Sequence, residues 1–294
     1  LPSAKWVEDA FAKSELLVVQ DIFHPTETTM LADVVLAAAQ WCEKTGTLIS
    51  SERRIELAEK VIEPPGDARP DHEIISSVAR SMGFDKEFAH RSSEEVFEEW
   101  KGITRGRICD MIGVTYERLR GKVGPQLPCP DIGHPGTSRL YIDHQFPRPD
   151  GRAALLARKY IEPDDTTNEK YPLVLITGRL PWHFNTRTRT GRVPILNAME
   201  PDNFVEVNPR DAACLDLNEN DNVEIKSRRD SVLAKVRIKD RILKGTIYMN
   251  MHYGKSLGIG DRKSVNLVTN PAYDINSKQP ELKYCAVNIL KISI

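Results

Sequence analysis

No stretch of this chain approaches the ~20 consecutive apolar residues that cross a bilayer, and no secretory charged-then-apolar pattern opens it. A membrane partner is therefore not expected. Charge of one sign is missing too: 41 basic against 42 acidic side chains leave a formal net charge of −1. That balance supplies no general attraction to nucleic acid, so any anion site must be local. Cysteine is sparse and scattered. Cys42, Cys109, Cys129, Cys214 and Cys285 include no C-x-x-C pair, which excludes a zinc knuckle or an iron–sulfur binding run. Such thiols suit a reducing, cytoplasmic setting, and none has the adjacent histidine that would make it a nucleophile. The histidines at 24, 72, 90, 134, 144, 183 and 252 show no H-x-x-x-H or comparable spacing, so neither a metal set nor a catalytic set emerges. Leu1 in place of an initiating methionine predicts a piece of something longer.

What is present suits a globular protein with room for two domains: 294 residues, of which 40% are hydrophobic and 28% charged. The first part, residues 1–105, has an α/β pattern. Ser3 is placed to cap a helix carrying Trp6, Val7, Ala10 and Phe11 on one face. Leu16 to Val19 and Ala32 to Ala39 are apolar enough for buried strands. Asp71 is expected to cap a helix with Ile74, Ile75, Val78, Ala79 and Met82 inward and Gly83 as its stop. Ser92-x-x-Glu95 is a capping box for a helix carrying Val96, Phe97 and Trp100. Strands alternating with helices predict a parallel, dinucleotide-binding-like sheet.

From 106 to 170 the periodicity dissolves among Pro125, Pro128, Pro130, Gly133, Pro135, Gly136, Pro147 and Pro149, and an irregular connecting region is expected. From 171 to 294 the pattern becomes β. Strands are predicted at Leu173–Thr177, Phe204–Val207, Asn222–Ser227, Val232–Ile238, Thr246–Met251 and Tyr284–Ile292. Asn208-Pro209 opens one short helix with Ala212, Ala213 and Leu215 beneath. Six strands with so little helix predict a closed barrel.

One segment carries chemistry. The apolar run Leu173-Val174-Leu175-Ile176 delivers Thr177-Gly178-Arg179 and then Asn185-Thr186-Arg187-Thr188-Arg189-Thr190-Gly191-Arg192. Hydroxyls alternating with guanidiniums suit a pyrophosphate, although water solvates such a loop equally well. His252, following an apolar strand in Met251-His252-Tyr253-Gly254, is the histidine expected to face a pocket. Arg228-Arg229 suits a charged hairpin edge, and Glu94, Glu95, Glu98 and Glu99 a solvated helix face.

In its order of motifs the chain resembles the molybdopterin oxidoreductases, the dimethyl sulfoxide reductase superfamily. The second half carries the resemblance at Thr177-Gly178-Arg179, Phe204 to Ala212, Lys226-Ser227-Arg228-Arg229, Gly245 to Met249 and Ser277 to Val287. The first half does so at Gln20-Asp21, Thr26-Glu27-Thr28, Ala32 to Leu36, Glu43-Lys44-x-Gly46-Thr47, Ser51 to Arg54 and Glu63 to Asp71. Within the family, Ile103-Thr104-x-Gly106, Gly113 to Leu119, His134 to Tyr141 and Thr188 to Val193 resemble the C-terminal portion of assimilatory nitrate reductases.

The resemblance implies a bis-molybdopterin guanine dinucleotide with molybdenum, held by the α/β part and by a double-psi β-barrel. Gln20, Asp21, Lys44 and Asp71 would meet the guanosine and phosphates of one nucleotide. Thr177, Gly178, Arg179, His183, Phe184, Asn185 and Thr186 would lie against the pterin, with Asn266 and Lys283 as further contacts and Tyr253 at the substrate funnel. A [4Fe-4S] cluster and the residue on molybdenum are expected only in an upstream region. Implied partners are nitrate, the upstream half of the enzyme, and an electron donor such as ferredoxin, flavodoxin or an NAD(P)H-linked subunit.

Some positions depart from the family pattern. Phe184-Asn185-Thr186 stands where nitrate reductases carry Trp-His-Thr, Ala37 where a proline is expected, Ser50 where asparagine is common, and Asp230 where glycine follows Arg228-Arg229. Two other functions remain beside nitrate reduction: formate dehydrogenase chemistry, and a cofactor-free scaffold without catalysis. The isolated chain is expected to be inactive.

Overall fold

The computed structural model describes residues 1–254 and 264–292. It divides into two compact units, one of Leu1–Val19, Phe23–Val35 and Lys159–Ile294, the other of Gln20–Ile22 and Leu36–Arg158. In chain order the elements are α1 (Ala4–Phe11), β1 (Val18–Asp21), β2 (Val34–Ala37), β3 (Gly46–Ile49), β4 (Ile55–Ala58), α2 (Asp71–Ser81), α3 (Ser93–Ile103) and α4 (Tyr116–Leu119). Then follow β5 (Leu173–Gly178), α5 (Pro194–Met199), β6 (Phe204–Val207), α6 (Pro209–Cys214), β7 (Asn222–Lys226), β8 (Ser231–Ile238), β9 (Thr246–Asn250) and β10 (Cys285–Lys291).

The larger unit is built on a closed barrel in the order β10-β5-β9-β6-β8-β7. Alternation along each strand fills it. On β8, Val232, Ala234 and Val236 are buried while Leu233 and Lys235 are exposed. They join Leu175, Val205, Val207, Val223, Ile225, Ile247, Met249, Cys285, Val287 and Ile289 in one core. Two pairs are parallel, β5 with β9 and β6 with β8, and the remaining ladders are antiparallel. All six predicted strands occur within about a residue of their predicted edges. Asn208 caps α6 by accepting from the Arg210 amide at 2.9 Å. Ala212 and Leu217 are buried beside it, rather than Ala213, which is exposed.

The smaller unit centres on Ile55, Phe97, Met111, Val114, Tyr116, Leu119, Leu127 and Cys129. Six of these eight lie beyond residue 106, so the first half of the Gly/Pro-rich stretch is packed core despite its lack of periodicity. Its motif Gly113 to Leu119 is a knot of backbone contacts. A Cβ on Gly113 would sit 1.8 Å from the Asp131 carbonyl oxygen. Thr115 caps α4, and the Arg118 guanidinium donates to the carbonyls of Gly113, Ile132 and His134.

Sheets in the first third differ from expectation. Among the described residues it holds two two-stranded sheets, β1–β2 and antiparallel β3–β4, instead of one broad parallel sheet. The strands are only four residues long, and their apolar side chains are poorly covered: Val18, Val34 and Val35 are exposed, as is Leu16 just before β1, while Val19 and Leu36 are half-buried. In α2, Ile74 and Ala79 are buried, but Ile75, Val78 and Met82 are exposed. Only the Ser92 half of the predicted capping box of α3 forms, because the Glu95 carboxylate reaches one residue past the cap to Arg91. Ser92 Oγ accepts from the Glu95 amide at 3.2 Å, and the Glu95 carboxylate accepts from the Arg91 amide at 2.7 Å. Ser3, by contrast, directs its hydroxyl at the Thr269 carbonyl and caps nothing.

Candidate functional site

In the smaller unit a reciprocal turn sets the first group of side chains. Gln40 and Glu43 bond to each other around the short 3-10 turn Trp41–Glu43, which leaves Lys44 on the following extended residue. Asp71 is not the cap of α2, a position taken by Pro70, but its first helical residue, where the free amides of a helix start favour a carboxylate. Lys44 Nζ forms an ion pair with the Asp71 carboxylate, and Gln20 Nε2 donates to its other oxygen at 2.6 Å. Burial pushes the Asp71 carboxyl up, but the bonds from Lys44 and Gln20 and the lysine charge outweigh it and leave it below the ordinary carboxylate range. Lys44 and Asp71 line a cavity of about 270 Å³ with Trp41, Thr47, His72 and Ser93. Three sequence-predicted residues thus form one cluster. Asp21 lies next to it in sequence, and its carbonyl accepts from Ala38 at 3.1 Å.

In the larger unit the second group leaves the barrel rim. Thr177 and Gly178 end β5, paired in parallel with Met249 and Asn250 at the end of β9. Gly178 has to be glycine: a Cβ there would lie 2.3 Å from Tyr248 Cε2. The Tyr248 hydroxyl donates to the Arg179 carbonyl at 2.7 Å. Thr177 is buried, and its hydroxyl proton goes to the Leu282 carbonyl at 2.9 Å, so this hydroxyl has no proton left for a phosphate. Lys283 Nζ donates to the Thr177 carbonyl at 2.5 Å. Burial and then the Arg179 charge lower the Lys283 pKa. Among the described residues neither of these two cations forms an ion pair with a carboxylate.

The Thr–Arg run is not a ready-made phosphate cradle. Arg187 is buried, donates to Asn197 Oδ1 at 2.6 Å and stacks on the Tyr253 ring at 4.4 Å. Arg192 lies over Phe23 at 4.8 Å. Thr186 and Thr188 bond to each other at 2.8 Å. Phe184 is exposed, and Asn185 takes a left-handed φ of 44°.

Behind this loop lies a buried polar set that the sequence shows only in outline. His252 is 2% exposed; its Nε2 accepts from the Leu180 amide at 2.7 Å, and its Nδ1 bonds to the Asn185 carbonyl. His183 is buried, with Nδ1 3.1 Å from the Thr190 hydroxyl and Nε2 in no hydrogen bond. The rings stand 5.9 Å apart. Burial, joined by the arginine charges, lowers both pKa values below the ordinary histidine range. Tyr253 is buried and its hydroxyl donates to the Glu200 carbonyl. Asn266 sits in the 3-10 turn Val265–Leu267, where Ser264 accepts from its amide at 3.2 Å.

The hairpin arginines have a role that sequence spacing hides. Arg228 and Arg229 both pair with the buried Asp165 carboxylate, 63 and 64 residues away, and Asp165 also accepts from the Ala286 amide at 3.2 Å. Among the described residues no group of three or more His, Cys, Asp or Glu is placed to hold a metal ion, and no helix is long and apolar enough to cross a membrane.

Residues 173–286 match the family described as molydopterin dinucleotide binding domain, and residues 2–81 match molybdopterin oxidoreductase. An F420-dependent formate dehydrogenase alpha subunit from Methanococcus maripaludis is 39% identical over 97% of this chain and 40% of its own length. A nitrate reductase from Synechocystis is 41% identical over 99% of this chain and 41% of its own. The assimilatory nitrate reductase catalytic subunit of Bacillus subtilis is 34% identical over 99% and 40%. This chain therefore spans about 40% of the length of the curated relatives it matches. Acetylene hydratase from Pelobacter acetylenicus shares the fold over all of this chain and 42% of that one, with a TM-score of 0.76 at 19% identity.

Proposed function

Because the chain belongs to the molybdopterin oxidoreductase family, we propose that it is the C-terminal, cofactor-holding part of a molybdenum enzyme that reduces nitrate to nitrite. The single observation behind the cofactor assignment is the Gln20–Lys44–Asp71 cluster at the edge of its cavity. A guanosine phosphate needs a carboxylate for its N1–H and exocyclic amine, a cation for phosphate, and room for a planar base. The cluster has all three. Asp71 retains lone pairs beyond those used by Lys44 and Gln20, and Trp41 borders the space. Arg179 and Lys283 repel one another across the β5 end, and an anionic pterin phosphate relieves that repulsion. On this reading the barrel is of the double-psi type, consistent with its two parallel pairs.

When bound, the molybdenum–pterin group supplies the redox chemistry. This chain's residues bind and orient it. Asp71 accepts from the guanine edge, Lys44 neutralises phosphate, and Gln20 holds Asp71 in place between them. The rim segment from Arg179 to Thr186 would offer the Arg179 guanidinium and polar donors to the pterin side.

A second reading has comparable support. Formate dehydrogenase subunits match this chain at 39% identity over almost its full length, which favours formate oxidation with the same cofactor.

The test uses the full-length protein that contains this chain. Asp71→Ala and Lys44→Ala each remove a charge-assisted contact, and cofactor retention falls roughly tenfold while the fold is kept. Full molybdenum and guanine content in both variants overturns the assignment. Nitrite formation from nitrate, set against dye reduction by formate, separates the two readings.

A further inference from the structure

The parallel pairing of β5 with β9 sends two segments off the same rim of the barrel. Gly178 is opposite Asn250, and the Met251 amide still donates to the Gly178 carbonyl at 2.9 Å. One step further on, His252 meets Leu180. The amide of Leu180 is a donor only, so the Nε2 that receives it at 2.7 Å carries no proton. The carbonyl of Asn185 is an acceptor only, so the Nδ1 bonded to it carries the proton. The two partners therefore select one neutral tautomer. They are also the two ends of one short loop, Leu180 to Asn185, which closes on a left-handed Asn185.

We propose that His252 is a positioning residue whose neutral imidazole staples both ends of the Leu180–Asn185 loop to the barrel rim. The loop's role toward a cofactor rests on the proposed function above; the staple does not. Among the described residues no acid is set against the ring. Besides the Asn185 carbonyl, the charged and titratable groups that act on it are Arg179, Arg187 and the His183 imidazole 5.9 Å away. A cationic ring would turn a proton onto the Leu180 N–H and lose that bond, and both arginines oppose the charge. Thr190, beyond this loop, holds His183 at 3.1 Å, and the Tyr253 ring meets His183 edge-on at 6.1 Å; among the described residues the hydrogen bonds from the loop to the chain leaving β9 are those of His252.

Nitrogen-15 labelling of histidine in this 294-residue chain reads the ring directly. The expected signature is the Nδ1–H tautomer, neutral to below the ordinary histidine range. The Leu180 amide, corrected for intrinsic rate, exchanges slowly and loses protection in acid as the ring titrates. His252→Phe keeps the ring volume and removes both bonds, and Leu180 exchange then rises about tenfold or more. His252→Gln, with one acceptor and one donor, restores part of the protection. An imidazole that merely fills space gives unchanged exchange in H252F, which overturns the proposal. If H252F does not fold, the unmodified chain decides: an Nε2–H tautomer, or a cation at pH 7, overturns it equally. In the full-length enzyme, faster exchange together with full cofactor content upholds the staple and refutes only the placement of this loop against the cofactor.

Discussion

Adding one methyl group at Gly178 perturbs the point where the barrel hands over to the loop that follows β5. In Gly178→Ala the new Cβ would lie 2.3 Å from Tyr248 Cε2 and 2.7 Å from Oη. Carbon–carbon contact is comfortable only near ~3.5 Å, so the ring must swing by more than about 1 Å. Doing so breaks its hydrogen bond to the Arg179 carbonyl. Overpacking of this kind costs about 1–3 kcal/mol and the lost bond about 1 kcal/mol, which gives about 3 kcal/mol for a half-buried ring. The assay is urea unfolding followed by circular dichroism, in a double-mutant cycle with Tyr248→Ala. Because the strain arises in the ring, G178A introduced into the Y248A background costs less than about 0.5 kcal/mol, and the coupling energy is about 2–3 kcal/mol. An equal loss in both backgrounds refutes the reasoning, since the glycine would then be required by something other than Tyr248.

Further predictions follow from other parts of the fold. Asp165→Ala strips the shared partner from Arg228 and Arg229 and leaves the buried Ala286 amide unbonded; because both arginines retain some solvent, we expect a loss of about 2–3 kcal/mol in urea unfolding, and a change below about 0.5 kcal/mol contradicts it. His183 and His252 are held neutral by burial, with folded pKa values below that of the unfolded chain, so the unfolded state binds more protons in acid. Stability is therefore complete above about pH 6.5 and declines as pH falls toward the folded pKa values, by up to about 1.4 kcal/mol per pH unit for each ring. A double variant, H183F with H252F, flattens that acid slope, and an unchanged slope argues against the assignment.

Much of the barrel was legible because its strands have one wet and one dry face. Val232, Ala234 and Val236 alternate with Leu233 and Lys235, and a period of two leaves little choice of structure. Composition misled where burial depends on what covers a surface. Leu16 to Val19 and Val34-Val35 are as apolar as core strands, yet Leu16, Val18, Val34 and Val35 are exposed and Leu17 and Val19 only half-buried. Proline and glycine misled in the opposite sense, since Met111 to Cys129 pack tightly without any period.

At the candidate site, the resemblance supplied Gln20, Lys44 and Asp71, and their mutual hydrogen bonds needed coordinates. Local sequence could not show where the arginines of the Thr–Arg run would turn. Arg187 finds Asn197 and Tyr253, and Arg192 finds Phe23, through contacts fixed by folding rather than by spacing. His252 was singled out because it follows a buried strand, whereas its two partners, Leu180 and Asn185, lie 72 and 67 residues away.

The central claim is that this chain holds a molybdopterin guanine dinucleotide. Its most direct test is the guanine nucleotide released by acid from the purified full-length protein, counted against its molybdenum. A pair of guanine nucleotides for each molybdenum, lost together when Asp71 and Lys44 are both replaced by alanine, is the predicted result. Molybdenum without guanine nucleotide, or neither of them in a fully folded protein, contradicts it.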